Sequence, residues 1–271
     1  MKKKAIVALS ALAALTACGT KKQAEEPATR SLIVYYSQTG TTEQVAQIFQ
    51  QLTGADTMRI EAEQPYEGDF NATIARCQEE MQNQSLPTLL PLTKNVEDYD
   101  TLYIGYPVWF GIPALPMQSF LSQVELKGKV VIPFCTFGSG GNTSIEVVTS
   151  GGAIVPAWYG VRAARVGKAE AEVKAFLTNL GILEGEEAEL PDFSEQVPVS
   201  DSVRVIYDAA CGTYPMPLGT PVSVGQRATA EGTEYLFTNE SQSEDGQVAT
   251  STIYVIAYAN GDAPEFTQVV R

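Results

Sequence analysis

The sequence predicts an α/β fold built on a parallel sheet, followed by a smaller β-rich region. Two observations carry this. From Ser31 to about Leu183, apolar strand-like runs alternate with segments whose apolar residues recur at helical spacing, which is the signature of consecutive βα units. Beyond an acidic, proline-bearing stretch from Gly185 to Ser200, short β-type runs separated by turn residues take over. A composition of 44% hydrophobic and 18% charged residues supplies enough apolar surface for a core.

Leu32-Ile33-Val34-Tyr35-Tyr36 is an unbroken apolar run, as expected of a first strand covered on both faces. Val45, Ala46, Ile48, Phe49 and Leu52 then fall on one helical face that ends at Gly54. Thr57–Glu61 forms the second strand and Asn71–Gln84 an amphipathic helix. Thr101–Val108 is the third strand, followed by a helix over Ala114–Val124. Lys129–Phe134 is the fourth strand, Thr143–Val148 a short helix, Ala153–Tyr159 the fifth strand and Lys168–Leu180 the closing helix. Residues 185–200 read as a linker. The region 201–271 is expected to hold a helix near Ser202–Ala210 and strands over Pro221–Thr229, Thr233–Thr238, Thr250–Ala259 and Glu265–Val270. Asp245-Gly246 marks a turn and Asn260-Gly261 a tight hairpin. A unit this small is near the lower limit for an independent core and should pack on the first domain or on a partner.

The N-terminus reads as a targeting segment. Lys2, Lys3 and Lys4 precede an apolar stretch, Ala5–Leu15, too short to span a bilayer. Leu15-Thr16-Ala17-Cys18 resembles a bacterial lipobox, which implies a signal peptide over 1–17, acylation of Cys18, and a tether over 18–30 holding the protein to a membrane outside the cytoplasm. Cleavage there removes three lysines and takes the formal charge from −14 to −17. This charge argues against nucleic-acid partners, which demand a basic footprint, and limits membrane contact to the lipid. The chain has no histidine, which removes the usual Ser-His-Asp and Cys-His chemistry and the commonest zinc ligand. The remaining cysteines, Cys77, Cys135 and Cys211, are odd in number and form no disulfide framework. Chemistry here is therefore expected to ride on a bound cofactor.

Three loops at the carboxyl ends of strands are the candidates, because doubly wound sheets bind ligands at that edge. Ser37-Gln38-Thr39-Gly40-Thr41-Thr42 joins the first strand to its helix, with four hydroxyls, one glycine and a helix N-terminus but no lysine. That composition suits a monophosphate held by neutral donors, although a threonine here could equally be an ordinary helix cap. Tyr106-Pro107-Val108-Trp109-Phe110-Gly111 follows the third strand and offers flat aromatic surface. Thr136-Phe137-Gly138-Ser139-Gly140-Gly141 follows the fourth, and its glycines let backbone approach a ligand edge.

S-Q-T-G-T-T after an apolar strand resembles the phosphate loop of flavodoxins, and the G-Y-P-V-W-F-G and T-F-G-S-G-G segments are similar to the corresponding loops of a bacterial flavodoxin-like subfamily. The resemblance spans about Arg30 to Leu183. It implies a flavodoxin-like three-layer fold with a five-stranded parallel sheet in the order 2-1-3-4-5. It also implies FMN as cofactor, with its phosphate on residues 37–42, Trp109 as the stacking ring and residues 136–141 at the ring edge. The implied function is electron transfer or oxidoreduction with a redox protein or small-molecule donor and acceptor, in an acidic shell that lowers the flavin potential. Two rival readings remain: an NAD(P)H-dependent quinone or flavin reductase, although no second dinucleotide fingerprint is present, and a non-redox lipoprotein binding module with a vestigial flavin site.

Overall fold

In a computed structural model of the chain, residues 29–67, 70–140, 146–149, 151–186, 190–242 and 246–270 are described. The signal-peptide and Cys18 assignments, most of the tether, and Gly141 lie outside them. The first unit begins with β1 (Ser31–Tyr35), α1 (Thr41–Thr53), β2 (Asp56–Arg59) and α2 (Phe70–Gln82). It continues through β3 (Thr101–Trp109), β4 (Ile112–Pro113), α3 (Leu115–Leu121), β5 (Val130–Phe137), α4 (Glu146–Thr149), β6 (Tyr159–Arg162) and α5 (Ala169–Asn179). The sheet order is β2-β1-β3-β5-β6, all parallel, with β4 folding back antiparallel on β3. Counting parallel strands alone, this is the 2-1-3-4-5 order expected.

Alternation along the strands builds two cores, one on each face of the sheet. Leu32, Val34, Leu102 and Ile104 point to the side covered by Cys77 of α2 and Met117 and Phe120 of α3. Ile33, Tyr103, Ile132 and Phe134 point to the side covered by Val45 and Phe49 of α1 and Val173 and Leu177 of α5. The fifth parallel strand lies at Tyr159–Arg162 rather than at residues 153–159. Ile154 makes only an isolated bridge to Val130, and Pro156, which has no N–H, interrupts the ladder between them.

The second unit comprises β7 (Val197–Pro198), α6 (Asp201–Cys211), β8 (Thr220–Thr229), β9 (Gly232–Gln242), β10 (Val248–Tyr258) and β11 (Glu265–Val270). Its strands form an antiparallel sheet in the order β11-β10-β9-β8-β7. Tyr207 and Cys211 of α6 pack on Phe237, Ile253, Val255 and Phe266 to give a third core. The end of the expected linker belongs to this sheet: β7 pairs with β8, Ser194 N–H donates to Gln226 O, and Phe193 packs edge-on against Tyr254. The Asn260-Gly261 turn is wider than a two-residue hairpin, because Asn260 Oδ1 accepts the N–H of Asp262 and residues 259–264 all lie outside the strands.

The units are joined along β11. Val269 N–H donates to Ser139 O at 3.0 Å, beside a parallel bridge between Gly140 and Val269. Arg162 donates from Nε to Gly138 O (2.9 Å) and from Nη1 to Phe266 O (2.7 Å), with its guanidinium 3.7 Å above the Phe266 ring. Glu265 pairs with Arg165 at 3.1 Å and Lys168 at 3.0 Å. Burial alone would raise the Glu265 pKa. Hydrogen bonds from Tyr258, Lys168 and Arg165 outweigh it and hold the carboxyl below its ordinary value. A carboxylate depressed in this way contributes stability above its unfolded pKa of about 4.3, and the contribution is lost as pH falls through the lower native value. Glu265→Gln is therefore expected to destabilise the protein near neutrality, with the gap shrinking as pH falls below the unfolded value of about 4.3 and through the lower native one. Urea midpoints of both proteins across that range check this; a pH-independent gap contradicts it.

Candidate functional site

Each of the three predicted loops sits at a carboxyl end of the parallel sheet, but their residues divide into those that build the loops and those left open. In the first loop, buried Ser37 uses its hydroxyl to accept the N–H of Glu43 (3.2 Å), and Arg59 donates to the Ser37 carbonyl (3.1 Å). Thr42 is fully buried and shares a hydrogen bond of 2.8 Å with Thr136 from the third loop. These hydroxyls are consumed internally. Gly40, at φ 88°, takes the left-handed conformation needed to turn the chain into α1 and itself offers no side-chain cap. Thr39 and Thr41 lie at the surface of this turn with their hydroxyls 3.4 Å apart. The N–H groups of residues 39–42 meet no acceptor among the described residues. Two open hydroxyls, open amides and the positive end of a 13-residue helix make a setting for an anion.

The second loop is a hairpin. Val108 pairs with Pro113 and Trp109 with Ile112, leaving Phe110 and Gly111 as the two turn residues, both at positive φ (51° and 79°). That is the sign pattern of a type I′ turn. It strains a bulky phenylalanine, and such strain gathers at ligand sites. Phe110 is left 50% exposed. Trp109 is braced edge-on by Tyr36 (5.7 Å) and Tyr66 (5.0 Å), so its ring orientation is fixed before any ligand arrives. In the third loop the Gly138 carbonyl accepts from Arg162 of β6, and the Ser139 carbonyl accepts the Val269 N–H of the second unit.

A cavity of about 750 Å³ opens between these elements, within the range of small-molecule and cofactor sites. It is lined by Gln38, by Thr73, Ile74 and Cys77 of α2, by residues 108–111 and 137–140, and by Tyr214, Met216 and residues 268–270 of the second unit. Gln38 lies between cavity and phosphate loop and is fixed there by donating to Thr73 Oγ1 (2.7 Å) and Tyr66 O (3.2 Å).

Several expected site residues lie elsewhere. Tyr106 is completely buried in the core, since the period of two along β3 turns it into the layer beneath the cavity. Pro107 and Thr136 do not line the cavity, and of the first loop Gln38 does while Ser37, Thr39, Gly40, Thr41 and Thr42 do not. Thr73, Ile74, Tyr214, Met216 and residues 268–270 were not expected from the sequence. For α2 the signal lay in its helical periodicity, which puts Thr73 and Cys77 on one face. Arg76 lies outside the cavity lining: it stacks 3.8 Å over Tyr66, pairs with Glu80 at 2.9 Å, and donates to the carbonyls of Gln64 and Pro65.

Cys77 is 1% exposed, and burial, reinforced by nearby Glu80, pushes its thiol up to about 11. It is therefore a neutral wall residue, not a nucleophile. Iodoacetamide should label it in the native protein at about pH 8 roughly a hundredfold more slowly than in the unfolded chain, on thiolate fraction alone. Peptide mass spectrometry measures this; equal rates would refute it. Among the described residues no cluster of three or more His, Cys, Asp or Glu could hold a metal.

Residues 30–178, more than half of the chain, match the sequence pattern of a family described as flavodoxin. The chain belongs to the flavodoxin family. No curated protein matches this flavodoxin. Solved structures do: one of a protein described as a flavoprotein, from Bacteroides eggerthii DSM 20697, is 27% identical over 56% of this chain and 98% of its own, with a TM-score of 0.48. A flavoprotein from Lactobacillus acidophilus NCFM in complex with FMN is 27% identical over 52% of this chain and 98% of its own, with a TM-score of 0.42.

Proposed function

We propose that this flavodoxin holds FMN across the three loops and serves as an electron carrier or oxidoreductase. The observation that carries the reading is a cavity lined by Trp109, Phe110 and Gln38, the last of which directly precedes the turn of Thr39 and Thr41 with its open hydroxyls and amides. The residues present fit the group. Thr39, Thr41 and the amides around Gly40 would take the phosphate, Val108–Gly111 would supply aromatic surface for the ring, and residues 137–140 would meet its polar edge. The flavin itself supplies the redox chemistry. The chain positions the ring, excludes water with Trp109, Phe110, Ile74 and Phe137, and offers no histidine for proton transfer.

Incubating the purified protein with FMN tests the reading. The expected result is a bound flavin spectrum with quenched emission after gel filtration. A protein that stays colourless overturns it. The same reading places the protein outside the cytoplasm on a lipid carried by Cys18. That rests on Leu15-Thr16-Ala17-Cys18, and Cys18→Ser should release the protein from the membrane fraction. No helix among the described residues is long and apolar enough to cross a membrane.

A further inference from the structure

We infer that the β-rich unit is part of the cofactor site: Tyr214 and Met216 form its outer wall against the isoalloxazine, and Arg162 is the latch that holds this wall in place. The inference rests on the FMN reading above and goes beyond it, since the flavodoxin match ends at residue 178.

Three independent observations support it. The first is that Tyr214 and Met216 line the same 750 Å³ cavity as Trp109, Phe110 and the third loop. Met216 is 46% exposed and Phe110 50%, so large apolar side chains from both units border one space. A flat apolar ring seated there would cover them, at a gain proportional to the area removed from water.

The second concerns how Tyr214 is fixed. Its ring packs edge-on against Phe266 at 5.1 Å. The guanidinium of Arg162 lies over Phe266 and 5.9 Å from the Tyr214 ring centre. Arg162 also donates to Gly138 O in the third loop and to Phe266 O in β11. One side chain thus ties the cavity's loop, the strand of the second unit and the aromatic wall together. Burial lowers the Arg162 pKa, so its hydrogen bonds to the two carbonyls and its place over the ring offset a real desolvation cost.

The third is that the strand is seated on the loop itself. The Val269 N–H to Ser139 O bond and the Gly140–Val269 bridge bring residues 268–270 to the cavity edge. Loop and strand therefore share their positions, and displacing one displaces the other. A unit that merely buttressed the sheet from behind would not reach the ligand edge in this way.

The test compares FMN dissociation, read as recovery of flavin emission on dilution, in the wild-type protein and in three variants of the full chain. Tyr214→Ala with Met216→Ala should speed release about tenfold or more, because an aromatic contact and an apolar wall are lost together. Tyr214→Phe should keep the wild-type rate, since the ring is retained. Val205→Ala, at an exposed α6 position, controls for general loosening of the unit. Wild-type FMN binding with an unchanged release rate in the double variant overturns the inference and leaves the FMN reading standing. Faster release in Val205→Ala to the same degree also overturns it. Failure of the wild-type protein to bind FMN removes both.

Discussion

Replacing Thr39 and Thr41 together by alanine is expected to weaken FMN binding by two to four orders of magnitude while leaving the fold intact. Each hydroxyl lost from a charged phosphate costs about 1.5–3 kcal/mol, and about 1.4 kcal/mol is tenfold in affinity. Thr39 is exposed and Thr41 only partly buried, and their one recorded hydrogen bond is to each other, at 3.4 Å. Truncating them should therefore move the thermal midpoint little, as for other surface positions. The neighbouring threonine gives the contrasting result. Thr42 is buried and bonded to Thr136, so Thr42→Ala leaves a buried hydroxyl unpaired and should cost about 1–3 kcal/mol of stability even without flavin. Fluorescence titration and thermal melts on the two variants separate the roles. FMN affinity unchanged in the Thr39/Thr41 double variant would rule out the phosphate assignment.

Gly105→Ala should produce the largest stability loss of a single methyl group in the first unit. A Cβ at this position would lie 2.1, 2.3 and 2.8 Å from three atoms of the Phe134 ring. That ring cannot swing aside: Phe134 is 0% exposed and stacks on Phe49 with centroids 4.6 Å apart. Overpacking of a closed core costs about 1–3 kcal/mol or more, which for a chain of this size lowers the melting temperature by roughly 2–12 °C. The cause can be isolated. Gly105→Ala combined with Phe134→Leu should cost less than the sum of the two single changes, because the smaller side chain vacates the contested space. Strict additivity would show that the strain arises elsewhere.

What the sequence made legible follows from where the information is local. Strands β1, β3 and β5 are buried on both faces, so Leu32–Tyr35, Leu102–Tyr106 and Val131–Phe134 read as apolar runs, but β3 extends to Trp109 and β5 to Phe137, so residues 106–109 and 136–137 are strand rather than loop. The glycine at 40 and the hydroxyls around it are likewise a local signal. Which hydroxyls face outward was not readable. Ser37 and Thr42 turn inward because partners at Glu43 and Thr136 exist only in the folded chain. The displaced fifth strand reflects competition between an apolar run and Pro156, and the ladder's need for N–H donors prevailed. Tyr106 was drawn into the expected site by its aromatic neighbours, whereas the pleat sends it to the core. Tyr214 and Met216 carry no motif at all. Their place at the cavity arises from docking of the two units.

That docking has a kinetic side. The hydrogen bond from Arg162 to the Phe266 carbonyl joins positions 104 residues apart, farther than the 94 between Thr42 and Thr136 within the first unit, and its acceptor lies in the last strand of the chain. Contacts of such long sequence separation form late, because chain closure must precede them. The first unit, complete by residue 179, can reach its native arrangement as a unit before the tail docks on it. Until that docking, the side of the cavity that Tyr214 and Met216 line stands open.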